Sequence, residues 1–141
     1  MDLKQQFTNV MSESVNMALA TSTDNQPNVR VVTFAYDPDK SGRVFFTTFK
    51  GNQKVMEFQQ NPKVACMPLP MSSESDLQVR IFGTVQKSDI TMGEVISLIS
   101  KKMPGDADTI MDGGDMMEIY EVCFDEAYVT VGMSEAQKVQ F

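Results

Sequence analysis

Thr47, Thr48 and Lys54 are the residues of this sequence best spaced for chemistry. They stand in the run Gly42-Arg-Val-Phe-Phe-Thr-Thr-Phe-Lys-Gly-Asn-Gln-Lys54. It reads as a strand that ends in two threonines, turns at Gly51 and opens a helix. A lysine in the first turn of a helix is unfavourable alone, because that pole carries partial positive charge and prefers Asp or Glu. It becomes favourable when an anion is held there jointly by free backbone N–H groups, hydroxyls and the ammonium. The spacing therefore predicts a phosphate seat and a phosphate-bearing ligand.

The residues that are missing narrow the chemistry further. There is no histidine and there are two cysteines, Cys66 and Cys123. A Ser-His or Cys-His nucleophilic pair is excluded, imidazole cannot ligate a haem, and little remains for a zinc site. Difficult chemistry, if any, belongs to a borrowed cofactor. The net charge of −7 argues against nucleic-acid binding by counterion release, yet Arg30, Lys50, Lys54 and Arg80 can still converge locally. The N-terminus lacks a basic start followed by an apolar stretch, and no apolar run is long enough to span a membrane, so a cytoplasmic location is the expectation.

The elements that must position these groups follow from periodicity. Leu3, Phe7, Val10 and Met11 predict a short amphipathic helix within 2–16. Strands are expected at 17–23, 28–36 and 43–48, a helix at 52–60 with Val55 and Phe58 turned inward, and a strand at 63–69. Residues 77–87 alternate most clearly, with Leu77, Val79, Ile81 and Val85 on one face. Ser88 or Asp89 is expected to cap a helix running to about 102. A turn at 112–115 precedes strands at 116–124 and 127–131. Antiparallel strands joined by short turns suggest one domain, 1–141, built as a meander or barrel.

Three strings, Arg30-Val-Val-Thr-Phe34, Phe46-Thr-Thr-Phe-Lys-Gly-Asn-Gln-Lys54 and Leu77-Gln-Val-Arg-Ile-Phe-Gly83, occur in one order, with Asn61-Pro62-Lys-Val-Ala65 between the last two. In that order they resemble the pyridoxamine 5′-phosphate oxidase-like flavoproteins, the FMN-binding split β-barrel family. The resemblance covers 17–87 well and the remainder loosely. It implies a mainly β fold with peripheral helices, a six-stranded antiparallel split barrel, and a homodimer with FMN at its interface. It further implies that Arg30 contacts the FMN phosphate and that the backbone of Val31, Val32 and Thr33 runs beside the flavin ring. Thr47 and Thr48 would line the flavin, Asn52 and Gln53 would sit in the phosphate turn, Lys54 would hold the phosphate, and Gln78 would reach the ring. Hydride or electron transfer at flavin N5 is the implied chemistry, with a reduced nicotinamide as one possible donor, although no Gly-rich dinucleotide fingerprint occurs.

Departures from the family limit what it implies. Asn52 and Gln53 stand where true pyridoxamine phosphate oxidases have Ser and Arg, which weakens the charge of the seat. The Trp and Arg-x-His pattern that holds the vitamin substrate there has no counterpart, since the chain lacks Trp and His. The resemblance thus supports the cofactor and not that substrate. A flavin carrier, sensor or electron-transfer protein without turnover is the alternative, and a deazaflavin remains open. Single residues also have plain readings. Arg30 shares a strand face with Val32 and needs an anion if buried, which a carboxylate or a phosphate would satisfy equally. Lys54 suits a solvated helix face, the threonines suit a strand end, and Gln78 suits an outward position. Asp106, Asp108, Asp112 and Asp115 read as solvated turn residues, because no Glu completes an EF-hand spacing.

Overall fold

The computed structural model describes residues 2–103 and 116–141. The elements in chain order are α1 (Leu3–Glu13), β1 (Asn16–Thr23), β2 (Gln26–Ala35), β3 (Arg43–Phe49), α2 (Gln53–Gln60), β4 (Lys63–Pro68), β5 (Leu77–Lys87), α3 (Met92–Lys102), β6 (Met117–Cys123), β7 (Glu126–Val131) and β8 (Gln137–Gln140). All strand pairings are antiparallel, and the order β1-β2-β3-β6-β5-β4 returns to β1, closing a six-stranded barrel. β7 and β8 continue outward from the first half of β5. The expected split-barrel architecture is therefore the one observed. No described helix is long and apolar enough to cross a membrane.

Two expectations need correction. Helix α3 begins at Met92, and its cap is Thr91, whose hydroxyl accepts from the Glu94 N–H at 3.1 Å. Ser88 instead donates to the buried carboxylate of Glu121 at 2.8 Å. β8 was not anticipated, because Gln-Lys-Val-Gln offers a single buried apolar residue, Val139. The aspartates expected in a turn, and the turn at 112–115, lie outside the described residues.

Alternation drives closure. Met17 and Leu19 on β1, Phe34 on β2, Val44 and Phe46 on β3, Val79 and Ile81 on β5 and Val122 on β6 are fully buried in one core. Each such side chain contributes roughly 1.5–3 kcal/mol by leaving water. α1 inserts Phe7 against Tyr36, Phe124 and Phe141, and α2 inserts Phe58 against Phe46 and Tyr120. α3 covers the outside, where Val95 and Ile99 pack with Ala35, Phe45 and Ile119. Its terminal Lys102 donates to the carbonyls of Ser14 at 2.7 Å and Phe34 at 3.3 Å, and burial lowers that amine to about 7. β5 can swing from β4 onto β6 because position 83 is glycine: a Cβ there would stand 2.3 Å from the Cys123 carbonyl oxygen.

The barrel is unevenly closed. β2 pairs with β1 over eight rungs, from Asn16↔Thr33 to Thr23↔Gln26. It meets β3 at only two, Phe34↔Phe46 and Ala35↔Phe45. Past Phe34 and Phe46 the two strands diverge, and a cleft opens between them.

Candidate functional site

The cleft takes its floor from the divergence of β2 and β3 and its rim from the turn that follows β3. It measures about 500 Å³ and is lined by Val31, Val32 and Thr33 of β2, Thr47, Thr48 and Phe49 of β3, Asn52 and Lys54 at the start of α2, Ile99 of α3 and Met117 of β6. Ligand sites typically occupy roughly 300–1,000 Å³. The Phe34 N–H is bound to the Val15 carbonyl on the β1 side. Alternation along an antiparallel strand then turns the N–H and C=O of Val31 and Thr33 towards the gap.

Polar groups gather at the turn. Gly51 takes φ +74°, a left-handed conformation that a residue with a Cβ adopts only under strain, and this folds the chain back into α2. Asn52 caps α2, its side-chain oxygen accepting from the Lys54 N–H at 3.2 Å. The Lys54 ammonium donates to Thr48 Oγ1 at 2.8 Å and to Asn52 Oδ1 at 3.2 Å, which leaves one of its three N–H groups for a ligand. Since Thr48 accepts from lysine, its own hydroxyl hydrogen is available as a donor, as are the Asn52 amide hydrogens. Burial, reinforced by the nearby Arg30 charge, lowers the lysine from its ordinary range, while Glu57 partly opposes this. A half-buried cation with an open donor at a helix N-terminus is an arrangement that binds anions.

The remaining wall is apolar and open. Val31, 58% exposed, and Phe49, 55% exposed, stand at the lip, while Ile99 and Met117 lie deeper. Lys54 is the one titratable side chain lining the cleft among the described residues. The site can therefore position and shield a ligand more readily than it can exchange protons with one.

A profile of the "Pyridoxamine 5′-phosphate oxidase-like" family matches residues 10–136. The chain belongs to that family. A pyridoxine/pyridoxamine 5′-phosphate oxidase from Nostoc sp. is 42% identical over 72 residues, half of this chain but 32% of that protein. The match thus spans about a third of that relative's length. Among solved structures, a NimC/NimA family protein from Clostridium acetobutylicum superposes with TM-score 0.67 at 19% identity, covering 97% of this chain and 91% of that one. HutZ, described as a heme storage protein of Vibrio cholerae, superposes with TM-score 0.72 at 15% identity, covering 96% and 100%. At such identities these two structures support the barrel alone.

Within this pyridoxamine 5′-phosphate oxidase-like barrel, the fold brings Val31, Val32, Thr33, Thr47, Thr48, Asn52 and Lys54 around the cleft. Three other residues named from sequence lie elsewhere. Gln53 starts α2 with its side chain exposed. Gln78 is exposed on β5, opposite Thr130 of β7. Arg30 turns to the other side of β2, where its guanidinium pairs with Glu57 at 3.0 Å. Sequence reasoning overlooked Glu57, and also Phe49, Ile99 and Met117 in the lining. The helical periodicity of α3 marks Ile99 as apolar-facing, but nothing local marks Glu57, whose partners lie 27 to 36 residues away.

Proposed function

We propose that this protein binds FMN in the β2–β3 cleft and works as a small flavin-dependent oxidoreductase in a homodimer. The observation that carries the reading is the cleft itself, which collects a helix N-terminus, an ammonium with an open donor and two hydroxyls beside a strand edge and apolar side chains. These features suit the parts of FMN. Lys54, Thr48, Asn52 and the first N–H of α2 would hold the phosphate. The peptide edge of Val31 and Thr33 would meet the polar rim of the ring, and Val31, Ile99 and Met117 its apolar body. When bound, FMN supplies hydride or electron transfer at its N5 atom.

The chain's own part is orientation, a fixed charge for the phosphate and exclusion of water. A second copy would cover the exposed Val31 and Phe49 and could bring its own Gln78 to the ring. Reduced NADH or NADPH, or another small redox substrate, would approach the face left open. FMN and riboflavin fluorescence titrations test the seat: FMN should bind about ten- to a hundred-fold tighter than riboflavin. Equal affinities would remove the phosphate seat from the proposal.

A second reading rests on Lys54 being the one titratable side chain that lines the cleft among the described residues: a flavin carrier or electron-transfer protein without turnover. Anaerobic mixing of the loaded protein with NADH or NADPH separates them. Rapid bleaching of the flavin bands supports the oxidoreductase, and an unchanged spectrum with both nicotinamides supports the carrier. The visible spectrum of the purified protein also decides between flavin and heme, and the 141 residues contain no histidine to ligate heme iron.

A further inference from the structure

The outer face of the barrel where β2, β1, β4 and β5 lie side by side departs from the pattern of a solvated sheet. Met17 and Leu19 of β1 point into the core, so Ala18 and Ala20 point outward. Register sets two rows of side chains across that face, Val31, Ala18 and Met67 in one and Val29, Ala20, Ala65 and Phe82 in the other. Every one of them is apolar, where an antiparallel sheet facing water presents polar side chains. Val29, Val31 and Phe82 are each more than half exposed. The three alanines floor a hollow of about 230 Å³, with Met67, Phe82 and Arg80 around it. Contiguous exposed apolar surface of this kind marks an interaction site.

We propose that two copies of this chain meet on this face and that Arg80 of each reaches the anion seat of the other's cleft. This rests on the phosphate-seat reading above and adds to it a residue from the second chain. The valines of β2 form a ridge and the alanines beside them a groove, so the face is self-complementary: a two-fold axis seats each copy's ridge in the other's groove. The chain carries a net charge of −7, yet neither row holds a charged residue, so two acidic molecules meet there without like charges opposed. The face is continuous with the cleft, because Val31 belongs to both. Seating Val31 in the partner's hollow therefore brings the rim of that hollow, and the partner's Arg80 with it, to the mouth of the first copy's cleft. Arg80 is exposed and makes no hydrogen bond or ion pair with any described residue, so its guanidinium fork is free to take a phosphate. A phosphate ester is then held from two chains, by Lys54 of one and Arg80 of the other.

The test separates the face, the residue and the seat. Sedimentation of the wild-type protein should show a dimer, and Ala20→Glu, which fills the groove with a charge, should give a monomer with unchanged circular dichroism and weaker FMN binding. A monomeric wild type, or a folded Ala20→Glu dimer, overturns the proposal. Arg80→Gln should stay dimeric and bind FMN about ten-fold more weakly while riboflavin binding is unchanged. Unchanged FMN affinity, or an equal loss for both ligands, overturns the role of Arg80 and leaves the seat standing. The decisive sample is a mixed dimer of one Lys54→Ala chain and one Arg80→Gln chain, purified through two different tags. Contribution across the interface gives it one cleft of wild-type FMN affinity, with Lys54 from the second chain and Arg80 from the first. A mixed dimer with no such cleft overturns the proposal, because Arg80 would then serve its own chain. Wild-type FMN affinity in the Lys54→Ala homodimer would instead remove the seat itself.

Discussion

The two edges of β2 behave as different materials. On one side eight rungs bind it to β1, and side chains of both strands bury themselves in the barrel. On the other side two rungs join it to β3, and the rest of the edge faces a cleft. One strand thus serves closure along one edge and lines the proposed binding cleft along the other, with Phe34 at the boundary. Lys102 fastens that boundary from outside through the Phe34 carbonyl. The difference teaches that stability and affinity are carried by separate residues: large apolar side chains on the closed side, a few donors on the open side.

The sharpest way to break this division is in the core. Phe46→Ala removes a fully buried ring that touches Phe58 and Tyr120, and it should cost about 3–5 kcal/mol of stability in urea unfolding. A cost under about 1 kcal/mol would mean that the barrel does not depend on this packing. Next comes Lys54→Ala, which should weaken FMN by about 1.5–3 kcal/mol while unfolding shifts by no more than about 0.5 kcal/mol. Losses of similar size in both measurements would erase the contrast between the edges. Thr48→Val keeps the strand and deletes one hydroxyl, so FMN should weaken by about 1 kcal/mol in the same titration. The smallest effect belongs to Gln53→Ala at an exposed position, where FMN affinity should move by less than about 0.5 kcal/mol. A larger loss there would enlist Gln53 in the seat and extend the open side around the turn.

Much of the closed side was legible in the sequence, because alternation in β5 and in the β2–β3 region follows directly from which face is dry. The turn from Gly51 to Lys54 was legible for a similar reason: strand, glycine and helix start are local signals. The capping residue of α3 could have been read too, since Thr91 followed three residues later by Glu94 is a recognised start pattern. β8 was not legible, as its pairing with β7 comes from the ladder and hardly from its own side chains. Arg30 marks the limit most clearly. Its strand face was evident, and its need for an anion followed, but whether that anion is Glu57 or a ligand depends on how α2 docks onto β1 and β2. The fraying of β2 from β3 is likewise a property of the closed ring, with no signature in either strand alone.

The frayed edge of β2 has a consequence for handling the protein. Val29 is 63% exposed, and with Val31 it flanks peptide groups that face the gap. An uncovered edge of this kind is a template for another chain to pair with, leading to aggregates. A flavin seated in the gap, as proposed, would blunt that template. Preparations made in riboflavin-poor medium should therefore cloud sooner on storage than those grown with the vitamin in excess.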